Sequence, residues 1–137
     1  MWSLAVSVSA DTPPSVTPAL ASVVDASSLY PDRASPEASV ARGDIAFQHY
    51  CALCHGKAGA GDGRAAKIHN PRPANLTVSD KNKAYKELIV RKGGAALGRS
   101  AAMPPWNEEL TEEQITDIVN FLQTLVPASV SQDAAAK

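Results

Sequence analysis

Two cysteines, Cys51 and Cys54, are the only thiols in the chain, and a histidine, His55, follows the second directly. Three kinds of chemistry use such a cluster: a redox disulfide, a zinc site, or a pair of thioether anchors for a haem. A thioredoxin-type Cys-x-x-Cys follows a strand and opens a helix, whose dipole lowers the pKa of the first thiol. Here the pair comes at the end of a helical pattern, with no βαβ period around it. Zinc needs four ligands, and the chain has no second ligand pair at finger-like spacing; two of His49, His55 and His69 would have to complete the set. Haem attachment accounts for all five residues. Thiols at i and i+3 point the same way and can each bond one vinyl group, and the next residue is then carried toward the iron. Cys-x-x-Cys-His is the signature of c-type haem attachment.

The other side of an iron needs a soft or nitrogenous ligand. Met103 is the only methionine besides Met1, and it stands in a loop of small residues, followed by Pro104-Pro105-Trp106. Its thioether is a natural axial ligand for haem iron; the alternative is a flexible side chain filling a gap in the core. His49 and His69 are rival nitrogen ligands, both expected to be exposed.

These residues have to be positioned by helices. Ser35-Pro36-Glu37 opens the first one, with a serine cap, a proline at the first helical position and an acid near the positive end of the dipole. Val40, Gly43, Phe47, Tyr50, Cys51 and Cys54 then recur at spacings of three and four, placing both thiols on its inner face. Gly43 lies on that face, where a missing side chain lets another helix approach. Residues 56–78 read as a glycine- and proline-punctuated loop, without the strand or the Gly-Lys-Ser/Thr of a phosphate cradle. A second helix is expected over Ser79–Lys92, with Tyr85, Leu88 and Ile89 inward and Gly93 as its stop. Thr111-Glu112-Glu113-Gln114 is a capping box, after which Ile115, Ile118, Val119, Leu122, Leu125 and Val126 keep a helical period up to Pro127. Nothing alternates at period two. The expected class is all-α.

Composition limits the rest. A chain of 137 residues holds one domain. Its formal charge of −1 disfavours general nucleic-acid binding but conceals an asymmetry: −3 over residues 1–41, +7 over 42–107 and −5 over 108–137. Only five aromatic residues follow residue 41, thin for a self-sufficient core and consistent with a group that fills the middle. The first forty residues carry five prolines and nine serines and suit an extended arm. Trp2–Val8 followed by Val8-Ser9-Ala10 fits the remnant of an export signal, although the first basic residue is Arg33; a simple unstructured start is the alternative. No run approaches the roughly 18 apolar residues of a membrane span. The expected organisation is an arm over 1–35, a folded domain over 36–126 and a tail over 127–137.

Taken together, Cys51-Ala-Leu-Cys54-His55-Gly56, Gly61-Asp62-Gly63, Pro73-Ala-Asn75-Leu76, Ile89-Val-Arg-Lys-Gly93-Gly94 and Met103-Pro104-Pro105-Trp106 resemble a small bacterial mono-haem cytochrome c of class I. The likeness covers roughly residues 36–126. It implies a cytochrome c fold in which the first and last helices cross at Gly43 beside Phe47 and Phe121, with Ile118 also at a packing position. It implies one covalent haem c on Cys51 and Cys54, with His55 and Met103 as iron ligands and Pro73, Leu76 and Trp106 lining it. For Trp106, plain core packing is the alternative. A loop proline carbonyl should orient His55; Pro73 is assigned that role and Pro71 is the rival, because Ala74 separates Pro73 from Asn75-Leu76.

The function that follows is one-electron transfer between periplasmic or membrane redox partners, without catalysis. A monomer is expected, with a haem edge ringed by Lys57, Lys67, Arg72, Lys92 and Arg99 and partners that offer an acidic docking face. The alternatives are a haem enzyme or sensor with a labile sixth ligand, and a cytochrome subunit or assembly partner of a dehydrogenase or reductase complex.

Overall fold

The computed structural model describes residues 32–127; the expected export remnant, most of the arm and nearly all of the tail lie outside them. Among the described residues four α-helices, α1 (Pro36–Tyr50), α2 (Ala52–His55), α3 (Lys83–Lys92) and α4 (Glu112–Thr124), are joined by loops that contain three 3₁₀ turns. No strand occurs among the described residues. The fold is all-α.

Local sequence starts the first and last helices as expected, but the run expected to carry both thiols breaks at Cys51, and α4 stops at Thr124, short of Pro127. The Ser35 hydroxyl accepts from the Ala38 N–H, and Pro36 occupies the first turn of α1. Thr111 and Gln114 form the reciprocal capping box of α4. Helix α3, however, begins at Lys83 rather than Ser79, because the Asn82 side chain takes the cap by accepting from the Tyr85 N–H. Its inner face also differs from the apolar period. Lys86 and Val90 are the buried residues of α3, whereas Leu88 is 46% exposed.

The core is the contact between α1 and α4, the most extensive between any two helices. Phe47, Ile115, Ile118 and Val119 are fully enclosed there, and the Phe47 and Phe121 rings pack with centroids 5.3 Å apart. The helices cross at Gly43. A β-carbon there would collide with the Asp117 carbonyl and lie 2.9 Å from the Phe121 Cβ, so only hydrogen allows the two backbones to meet.

A polar clasp ties the crossing. Asp117 is 4% exposed, and its carboxylate accepts from Arg42 Nε at 2.7 Å, Arg42 Nη2 at 3.0 Å and the Ser39 hydroxyl at 2.5 Å. Asn120 donates to the same hydroxyl. The buried acid is thereby paired and hydrogen-bonded, as burial requires. Arg42 also donates to the Arg33 carbonyl, and Arg33 pairs with Glu113. The residues just before α1 therefore already pack on α4.

Candidate haem site

The helical face that carries the thiols ends in a break. Helix α1 stops at Tyr50, Cys51 caps it with its N–H bonded to the Phe47 carbonyl, and the single turn of α2 carries Cys54 and His55 onward. Both thiols are free, half-buried, and face a cavity of about 460 Å³.

Two loops close over that cavity. On one side the Gly61 N–H donates to the His55 carbonyl and the Leu76 N–H to the Gly59 carbonyl, which pins residues 71–76 against α2. This brings the Ala74 carbonyl within 3.1 Å of His55 Nδ1. A carbonyl only accepts, so Nδ1 carries the proton and Nε2 keeps its lone pair for a metal. Burial lowers the His55 pKa, with the Ala74 hydrogen bond opposing it, so the neutral imidazole that a metal requires is favoured. The orienting carbonyl expected of Pro73 is therefore Ala74's. Pro73 directs its own carbonyl at Gly61, where a β-carbon would come within 2.6 Å.

On the other side the Gly94 N–H donates to the Met103 carbonyl at 2.8 Å and the Trp106 N–H to the Val90 carbonyl at 3.0 Å. Gly93, at φ +74°, lies so close to Met103, Pro104 and Pro105 that any side chain would meet their backbone. The end of α3 and the loop of Met103 are thus one packed unit.

Cys51, Cys54, His55, Pro73, Leu76, Met103 and Trp106, drawn from three separate stretches of sequence, all line this one cavity. Phe47, Ile89, Val90, Ile118 and Leu122 add apolar wall. Trp106 also packs edge-on to Tyr50, and its buried indole N–H finds no acceptor among the described residues. Of the two rival histidines, His49 is exposed, as expected. His69 is not fully exposed; it lines the cavity with Nε2 3.8 Å from the Cys54 sulfur. Among the basic residues expected around the site, Arg72 and Arg99 line the cavity, whereas Lys57, Lys67 and Lys92 do not.

This donor set suits a haem better than the other two chemistries. Burial pushes the Cys51 thiol up to about 12, the reverse of the low pKa that activates a redox cysteine. No three His, Cys, Asp or Glu side chains converge as a metal cluster among the described residues. An apolar slot with two thiols on one edge, an oriented imidazole and a thioether fits a covalently held porphyrin and its iron.

Residues 38–122 match the family described as cytochrome c oxidase, cbb3-type, subunit III. The chain belongs to this family of c-type cytochromes. Haem c is accordingly its cofactor, iron its metal and electron transport its line of work. The cytochrome is 30% identical, over 54% of its length, to the cytochrome c subunits of quinone-type alcohol dehydrogenases of Gluconacetobacter polyoxogenes and Komagataeibacter europaeus. It spans only 16% of either relative. Among solved structures it resembles a reducing HAO-like protein complex of Kuenenia stuttgartiensis, with a TM-score of 0.56 and 27% identity over 66% of this chain and 44% of that one. No helix among the described residues is long and apolar enough to cross a membrane.

Among the contributors to this cavity that the sequence left unmarked are Ala74 and Lys86. The carbonyl of Ala74 carries no side-chain signal at all. Lys86 could be found only by pairing it with Val90 at i, i+4, a pattern that its charge disguises.

Proposed function

We propose that this cytochrome is a one-electron carrier whose iron is held between His55 and Met103, with the haem bonded to Cys51 and Cys54. One observation carries the proposal: the imidazole and the thioether lie in the walls of the same cavity that holds both thiols. When bound, the haem supplies a one-electron couple, which a methionine ligand shifts toward the reduced state. The chain's own residues do the rest. Ala74 holds the His55 ring and its tautomer. Gly94 and Val90 hold the Met103 loop by its backbone, so Met103 would stay in place to hold the iron against competing small ligands. The apolar wall of Phe47, Ile89, Val90, Ile118 and Leu122 keeps water away, which limits reorganisation when the electron moves. With His55 and Met103 both holding the iron, the metal would offer no open site for substrate turnover.

The domain occupies residues 36–126 and works outside the cytoplasm, where covalent haem attachment takes place, exchanging electrons with redox protein partners. Likeness to cytochrome c subunits of alcohol dehydrogenases supports a version in which the partner is a dehydrogenase that passes electrons to this domain. The deciding experiment is a reduced-minus-oxidised visible spectrum, with a mass measurement for one covalent haem and a redox titration. The expected result is a low-spin c-type spectrum in both states and a reversible one-electron transition. A high-spin ferric form that binds cyanide at once would instead assign the protein to haem sensors or peroxidases.

A further inference from the structure

Lys86 is 5% exposed on the inner face of α3, one turn from Val90. An ammonium group at that depth loses its hydration and needs partners to offset the loss. The chain gives Nζ one, the Leu122 carbonyl near the end of α4, at 3.4 Å. That distance is long for an N–H···O bond, and it engages one of three donors. Among the described residues no carboxylate forms an ion pair with Lys86, and none opposes the effect of burial on its ammonium. Burial lowers the ammonium pKa with nothing opposing it.

An aliphatic residue would close the same wall with no charge to desolvate. The wall is also the haem cavity's: Lys86 lines it together with Tyr85, Lys81 and Arg99, and Arg99 Nε donates to the Tyr85 hydroxyl. Arg99 is exposed and Lys81 partly so. Lys86 is the cation on this wall that solvent does not reach. A haem brings two carboxylates into such a cavity, and a buried lysine lacking an acid is the complementary half of an ion pair.

We propose that the Lys86 ammonium is the buried counter-ion of a haem propionate, and that this pair helps to set the reduction potential. The proposal rests on the haem occupying the cavity. Neutralising a carboxylate near the iron removes a charge that would favour Fe(III) over Fe(II). The contact with Leu122, at the negative end of the α4 dipole, fixes where the ammonium sits.

The test uses the haem-loaded full chain with Lys86→Met, which keeps an unbranched stem without the charge, and Lys86→Arg, which keeps the charge. Mass and the visible spectrum first establish one covalent haem in each. The Met variant is expected to show a downward shift in midpoint potential and displaced propionate carboxylate bands in redox-difference infrared spectra. The Arg variant should leave the potential close to that of the unaltered protein. If Lys86 serves only to cap α4, the Met variant will lose stability in denaturant while potential and bands stay in place, which overturns the pair. Should the Met variant fail to load haem, the unaltered protein labelled with ¹⁵N-lysine decides. A slowly exchanging Lys86 ammonium with cross-peaks to propionate methylenes is expected; contacts to α4 protons alone would overturn the pair. An unaltered chain with no covalent haem would instead overturn the carrier assignment itself.

Discussion

Gly43 of α1 faces the backbone carbonyl of Asp117 in α4 with no room for a side chain between them. The closeness of that crossing brings Phe47 and Phe121 into contact, and Phe47 and Ile118 from the same two helices line the cavity. Gly43→Ala should therefore force the helices apart and destabilise the holoprotein by about 1–3 kcal/mol or somewhat more, the usual cost of overpacking. Denaturant unfolding followed at the haem band measures it. An alanine variant as stable as the parent would show that the crossing can give way.

The clasp beside that crossing makes a second test. Arg42→Ala leaves the Asp117 carboxylate buried without its cation and should cost about 3–5 kcal/mol. Arg33→Ala removes only an exposed pair with Glu113 and should change stability by less than about 1 kcal/mol. Equal losses in the two variants would contradict the burial seen at Asp117.

Removal of both thiols, Cys51→Ala with Cys54→Ala, should yield a chain from which acidified organic solvent strips the haem. It should also fold poorly, since its apolar slot is left without an anchored occupant. Haem retained through that extraction would rule out thioether attachment.

Met103→Ala should abolish the weak charge-transfer band that a methionine ligand gives the ferric protein in the red. Its midpoint potential should fall, and cyanide should bind rapidly. His69→Ala should keep the red band and the slow cyanide binding, because the proposed assignment gives the second iron ligand to Met103 and leaves His69 beside the Cys54 sulfur. If the behaviours were exchanged, His69 would be the sixth ligand.

Arg72 and Arg99 line the cavity and are exposed, so they offer positive charge at its mouth. Electron-transfer rates with an acidic redox partner should fall as ionic strength rises. Arg72→Glu with Arg99→Glu should flatten that dependence and slow the rate at low salt. Stopped-flow kinetics over a salt series reads both effects, and a salt-independent rate for the parent would exclude electrostatic docking at this edge.

Much of this was legible in the residues alone, where the cause is local. The serine-proline start of α1 and the capping box of α4 are hydrogen bonds between neighbours a few positions apart, so sequence by itself determines them. The same holds for Cys51, Cys54 and His55, whose spacing is the chemistry, and for the apolar period that buries Ile115, Ile118 and Val119. Gly43 was legible as a site of close approach because it interrupts an otherwise apolar face.

What the tertiary structure alone decided depends on how distant segments meet. Which carbonyl orients His55 turns on where the 71–76 loop is pinned by Gly59, and a shift of one residue passes the role from Pro73 to Ala74. A backbone oxygen leaves no trace in side-chain type. Helix α3 starts where Asn82 captures the Tyr85 N–H, and its rotation about its axis follows from packing on α4, which turns Leu88 outward and Lys86 inward. Hydrophobic periodicity cannot report a buried charge, since it scores lysine as a solvent residue. His69 comes to rest near Cys54 by the course of a loop with no period to read. Short-range hydrogen bonding and burial patterns are written along the chain; the register of loops and the rotation of helices are settled only when all the contacts form together.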